Sequence, residues 1–434
     1  MKKWIGGILV LVLAFTAVLG CSNGKNGQDS EKPDQSTGKK INLTFSIAGS
    51  DEHKKMYEDL AAKFTTLHPN VTVEVMNVVN EDYDRKLSIM MASREAPDLG
   101  WVFESTIPTL FQAGQLLDVT EALKADKEYD FNDFYPATLE LLTNEGKNYG
   151  VPFSTPTTMI FYNKTMFKEK GLKTPSELYA EGNWTLGEYL KAAQALTDSS
   201  KGIYGADYLH AWQYWSSTLL PLVWAYGGDL FNDDKSAIAI NSPESEQAIQ
   251  FYYDMLFKDK VHPKPGDSQS TFESGQVAMF KDMYSFVTKA RKITDFEWDV
   301  APLPEGPKGR GTLMGYAGIG VFSDTEHPEE AAQFLKFLSS KDSMSVTAQY
   351  FVPGRKSILE SEIFMKPDQQ PSPESIQIAV LDQMKDARVS PSHVKWQQIN
   401  VTAQSIIDKL NTQQATVKDV LIELETALNA LITP

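Results

Sequence analysis

Between Ile41 and Val75 the apolar period changes from two to that of a helix and back to two, and no other feature narrows the fold as much. Ile41, Leu43, Phe45 and Ile47 alternate with Asn42, Thr44 and Ser46, which reads as a strand. Met56, Leu60, Phe64 and Leu67 then fall on one helical face. Asp51 is placed to cap that helix, and His68-Pro69-Asn70 stops it. Val71, Val73 and Val75 alternate with Thr72 and Glu74 in a second strand. A strand–helix–strand unit of this length implies a right-handed crossover and a parallel pair, so the chain opens as α/β. Tyr83, Leu87 and Met91 give a further helical stripe ended by Ala96-Pro97, and Leu99 to Phe103 reads as a short buried strand. Alternation continues downstream. Thr185-Leu186-Gly187-Glu188 is a capping box, Ser242-Pro243 and Pro328 start helices, and Val417, Val420, Leu421, Leu424, Leu428 and Leu431 form a closing stripe.

At 434 residues the chain is too long for one core. It holds a single cysteine, Cys21, which excludes an intrachain disulfide and any Cys-rich metal site. Lys2 and Lys3 precede an uncharged run from Trp4 to Gly20, the order of a secretory signal and too short for a confident membrane span. Val18-Leu19-Gly20-Cys21 resembles a bacterial lipoprotein box, so residues 1–20 are expected to be cleaved and Cys21 to carry the lipid: a diacylglyceryl group on its thiol, with palmitate-type acylation. Ser22 to Lys40 has no large apolar residue and reads as a tether reaching roughly 25 Å as a random coil. The expectation is a lipid-anchored globule on the extracytoplasmic face of the cell membrane. Its net charge of -16 argues against a nucleic-acid partner.

Catalytic signatures are missing. The six histidines are scattered with no i, i+4 pair, so no metal site is expected. There is no Gly-x-Ser-x-Gly elbow and no phosphate loop, and Gly315-Tyr316-Ala317-Gly318-Ile319-Gly320 has the wrong spacing for a dinucleotide fingerprint. Glu81, Asp82 and Asp84 read as a solvated helix start rather than an acid/base pair. No catalytic residue, metal or cofactor is assigned. The positive signal is aromatic: Tyr208, Trp212, Tyr214, Trp215, Trp224 and Tyr226 lie close together. Rings with an apolar face and a polar tip suit a sugar, and they suit a protein core as well.

Several segments, in order, resemble the extracellular solute-binding proteins of ABC importers, the group that includes maltose- and multiple-sugar-binding lipoproteins. They are Ala96-Pro97-Asp98-Leu99, Ala113-Gly114-Gln115-Leu116, Tyr149-Gly150-Val151-Pro152 through Tyr162-Asn163-Lys164, Gly227-Gly228-Asp229-Leu230, Phe272-Glu273-Ser274-Gly275-Gln276, Trp298-Asp299-Val300-Ala301-Pro302, Glu330-Ala331-Ala332 and Pro353-Gly354-Arg355. Two family positions depart: Asp282-Met283-Tyr284-Ser285 lacks the usual Gly and Trp, and Ser154-Thr155-Pro156-Thr157 replaces the usual acid or aromatic.

The resemblance implies a two-lobed, periplasmic-binding-protein-like fold of type II, with a hinge and an interlobe cleft. Lobe one is expected over 41–154 plus 316–352, and lobe two over 155–315 plus 353–434. Crossings fall near Phe153–Thr157, Gly315–Gly318 and Val352–Arg355, where glycines suit a hinge. Ligand candidates by motif are Ser50, Asp51, Glu104, Ser105, Thr155, Thr157, Tyr284, Ser285, Tyr316 and Arg355; Trp212, Trp215 and Trp224 come from composition. The structural alternatives are a helix cap for Asp51 and an interlobe salt bridge for Arg355. The implied function is a monomeric binding protein that delivers a carbohydrate, with an oligosaccharide favoured, to an ABC permease. Iron, polyamine or peptide in the same fold, or a two-carboxylate glycosidase, are the competing readings.

Overall fold

The computed structural model describes residues 39–78, 82–209, 215–264 and 270–432; Cys21, the tether up to residue 38 and Trp212 lie outside them. Among the described residues eight strands have four or more residues: β1 (Ile41–Ile47), β2 (Val71–Asn77), β3 (Leu99–Phe103), β4 (Gly150–Ser154), β5 (Thr158–Asn163), β6 (Met279–Met283), β7 (Trp298–Ala301) and β8 (Ala317–Val321). The opening unit forms as its periodicity dictates. β1 and β2 are parallel, with Ile41 opposite Val71 and Ile47 opposite Asn77. Between them helix α1 (Asp51–Leu67) buries Met56, Tyr57, Leu60 and Phe64. Its cap is Ser50 and not Asp51. The Ser50 hydroxyl accepts from the His53 amide, and His53 Nδ1 accepts from the Ser50 amide, closing a capping box in which His stands in place of Glu or Gln. The next helix, α2 (Tyr83–Ser93), stops at Arg94 in the left-handed conformation, two residues before Ala96-Pro97.

Two sheets divide the chain. The first has the order β2-β1-β3-β8-β4, and the second the order β6-β5-β7. β8 runs antiparallel to both β3 and β4. The chain therefore passes from the first sheet to the second between Ser154 and Thr158, and is back in the first at Ala317. These passages lie side by side, with the Gly315 amide donating to the Pro156 carbonyl at 2.8 Å. Neither Gly315 nor Gly318 has positive φ. Gly318 is required for space: a Cβ there would stand 2.5 Å from Leu142 Cδ1.

β5 is buried at all six positions, because both of its faces are covered. Met159 and Phe161 join an apolar core that continues into the first lobe, while Ile160 and Tyr162 face a second core. The second core is closed by helices at 186–196, 243–257, 396–411 and 417–432. In the first two, Thr185 and Ser242 cap with their hydroxyls, but the expected capping box at Thr185 is only half formed, since the Glu188 side chain pairs with Lys191 instead of reaching back.

The third crossing differs from expectation. At Val352 and Pro353 the chain runs beside Thr155 and Ser154. It then returns to the first lobe, where Arg355 bonds the backbone of Tyr129, Asp130 and Ser339, and Ser357 bonds Asp133. Contact with the second sheet comes later, where the Ser372 amide donates to Asp299. Residues 355–360 thus belong with lobe one.

Candidate ligand-binding site

β1, β3 and β4 point the same way, so their C-terminal ends and the start of β8 share one edge of the first sheet. That edge carries Ser50 and His53 after β1, Glu104 and Ser105 after β3, Thr155 after β4, and Tyr316 before β8. From the second sheet, the start of β5 and the end of β6 bring Thr157, Tyr284 and Ser285 to the same region. Strand ends at the meeting of two lobes are where ligands of α/β proteins bind.

Four polar groups on this edge are buried without a hydrogen-bond partner among the described residues: His53 Nε2, Asp84 Oδ1, Thr155 Oγ1 and Tyr316 Oη. Thr155 and Tyr316 are 0% and 2% exposed. Burial drives the His53 pKa down to about 4, so the ring is neutral. Its Nδ1 accepts the Ser50 amide, which leaves the proton on Nε2 as an unused donor. Asp84 Oδ2 accepts from the Ser105 hydroxyl at 3.0 Å, and burial raises the Asp84 pKa. Burial likewise pushes Glu104 up to about 7, helped by the charge of Asp84. Its own amide, Ser390 and the Tyr316 amide act in the other direction. Tyr316 is raised well above the ordinary phenol range by burial and by Glu104.

Other candidates fare differently. Asp51 is an exposed first-turn residue of α1. The Thr157 hydroxyl is buried and donates to the Ala379 carbonyl. Tyr284 is buried against Phe364, ring centres 5.2 Å apart, and Ser285 beside it is partly exposed. Arg355 is wholly buried in lobe one. Beyond its three carbonyls it pairs with Asp133 at 3.2 Å and lies against the faces of Tyr129 and Phe134. It is neither an interlobe bridge nor open to a ligand.

The aromatic cluster is mostly core. Trp215 stacks on Trp396 at 6.3 Å. Tyr208 packs on Tyr189, and its face carries Lys281 Nζ at 4.6 Å. Trp224 is 5% exposed, donates to Asp229 and has the Arg388 guanidinium over its ring at 4.3 Å. The sequence reading missed His53 and Asp84. A His three residues after a capping Ser was the available signal for the first. Nothing in the sequence separated Asp84 from an ordinary first-turn acid.

The lobes touch beyond the crossings. Lys292 Nζ meets Glu52 Oε1 at 2.6 Å, and Arg291 donates to the Gln349 carbonyl at 2.7 Å. Two α/β lobes whose strand ends meet at a common edge carrying unused polar groups have the architecture of a two-lobed binding protein. The chain belongs to the bacterial extracellular solute-binding protein family, whose model matches residues 49–345. It is 23% identical to the maltodextrin-binding protein MdxE of Bacillus subtilis, over 92% of this chain and 91% of that one. It is also 23% identical to the arabinooligosaccharide-binding protein of Bacillus subtilis, over 79% and 77%. An ABC substrate-binding protein of Listeria monocytogenes, solved in complex with cycloalternan, superposes with a TM-score of 0.81 at 23% identity, covering 91% of this chain and 99% of that one.

Proposed function

We propose that this protein is the extracytoplasmic receptor of an ABC importer, binding a carbohydrate, most simply an oligosaccharide, and handing it unaltered to a permease. The observation that carries the reading is the set of buried, unpartnered polar groups at the sheet edge, His53 Nε2, Thr155 Oγ1 and Tyr316 Oη among them. A buried polar group without a partner costs roughly 1–3 kcal/mol, and a polyhydroxylated ligand supplies partners to all of them at once. Relatives that bind maltodextrin and arabinooligosaccharide support the class of ligand. Lipidation at Cys21 and a monomeric state complete the proposal; both rest on the sequence.

A thermal-shift screen over mono- and oligosaccharides tests it, since a ligand at a hundred times its Kd adds about 2.7 kcal/mol to stability. The lobes are expected to close without turnover, which solution scattering reads as a smaller radius of gyration. Chemically altered sugar after long incubation overturns the reading. Cys21→Ser is expected to release the processed protein from membranes.

A further inference from the structure

Asp84 and Glu104 stand at the same sheet edge: Ser105, the residue after Glu104, donates its hydroxyl to Asp84 at 3.0 Å, and the charge of Asp84 acts on Glu104. Among the described residues no Lys, Arg or His forms an ion pair with either, whereas Asp82, close by in the chain, is paired with Arg85. Ser105 satisfies one oxygen of Asp84, and the other is buried and unused. Two half-buried carboxylates at one site ionise together only at a cost, which either a retained proton or an opposite charge between them relieves. Beside the pair, and coupled to Glu104, stands the Tyr316 hydroxyl, 2% exposed and without a partner; Thr155, wholly buried, follows the neighbouring strand with its hydroxyl equally unused. The edge therefore offers two acidic acceptors and two hydroxyls and, among the described residues, supplies no positive charge of its own.

We infer that the missing cation belongs to the ligand: the Asp84–Glu104 edge is a subsite for a protonated amino group, and the carbohydrate carried is an amino sugar. This rests on the carbohydrate reading above. An ammonium placed between the two carboxylates donates to Asp84 Oδ1 and Glu104 and removes their mutual repulsion, while Tyr316 and Thr155 take the neighbouring ring hydroxyls. An N-acetylated sugar has the same ring without the charge and leaves the pair uncompensated.

Titration calorimetry with the β-1,4-linked glucosamine disaccharide, its N-acetylated counterpart, maltose and spermidine decides the matter. The amino disaccharide is expected to bind at least about tenfold more tightly than either neutral sugar, about 1.4 kcal/mol. Asp84→Asn and Glu104→Gln, shown folded by circular dichroism, are each expected to erase that preference. Neutral sugars binding as tightly as the amino sugar overturn the cation subsite and leave the carbohydrate reading standing. Spermidine binding without any sugar overturns the carbohydrate reading and keeps the cation subsite. No binding by any of the four overturns the amino-sugar assignment. Preference retained in both variants moves the charge recognition elsewhere and overturns the assignment to this pair.

Discussion

Lys292, just past the helical turn that follows β6, reaches across to Glu52 in the first turn of α1, Nζ to Oε1 2.6 Å. One residue earlier, Arg291 donates to the Gln349 carbonyl of lobe one. The two lobes are thus fastened beside the cleft by neighbouring basic residues, and the Glu52 carboxyl is held down to about 2 chiefly by its bonds to Lys292 and Ser50.

Both ends of the Glu52–Lys292 pair are exposed, 47% and 66%, so its contribution is small, roughly 0–1 kcal/mol. Lys292→Ala is expected to weaken ligand binding by less than about fivefold, an effect that fades at high salt. Calorimetry at low and high ionic strength checks it; a loss that persists at high salt shows that the stem of Lys292 and not its charge holds the lobes.

Tyr316→Phe removes one buried hydroxyl and keeps the ring. Because that hydroxyl has no partner in the unliganded protein, stability is expected to hold or rise slightly, while affinity falls about tenfold, roughly 1.4 kcal/mol. Denaturant unfolding and calorimetry on the same preparation separate the two effects. Unchanged affinity removes Tyr316 from the ligand's neighbours.

Arg355→Met is expected to do the reverse. It strands three backbone carbonyls and Asp133, so stability is expected to drop by about 3–5 kcal/mol, while the folded fraction keeps its ligand affinity. A fall in affinity without loss of stability restores Arg355 to the site.

Acid acts on the buried histidines. His53 and His262 both have pKa values depressed to about 4 by burial, and His262 Nε2 accepts the Tyr208 and Leu209 amides. The unfolded chain takes up these protons first, so the stability they supply is complete above about pH 6.5 and is lost as pH falls toward and through about 4, roughly 3 kcal/mol for each ring. Glu104 and Asp282, raised to about 7 and about 6 by burial, bind protons more readily in the fold and offset part of that loss over the same range. Urea midpoints against pH are expected to fall more steeply in Glu104→Gln than in the parent protein. Parallel curves mean that Glu104 titrates normally.

Local pattern made the frame legible. The alternation from Ile41 fixed β1, β2 and their parallel pairing, and Leu99–Phe103 is a strand to the residue, because period and burial act over a few neighbours. The ring cluster was ambiguous in sequence because a Trp that stacks on sugar and one that stacks on Trp396 carry the same atoms; only the distant helix at 396–411 decides that Trp215 is core. Arg355 was misjudged for a similar reason, its partners lying more than two hundred residues away at Tyr129, Asp130 and Asp133. Asp84 reads as a helix-favouring acid, and only the edge of a sheet assembled from five separate strands buries its Oδ1.

β8 lies between β3 and β4, so the strand that joins the two parts of the first sheet is made last. A nascent chain that has grown through β5, β6 and β7 still holds β4 with no neighbour from its own sheet and β3 with one open flank. Both stay exposed until residues 317–321 arrive. Any delay between those points leaves two bare strand edges available to other chains, the condition that favours aggregation. The late strand therefore sets how long the newborn protein needs shielding, and a truncation just short of Ala317 is the form most prone to precipitate.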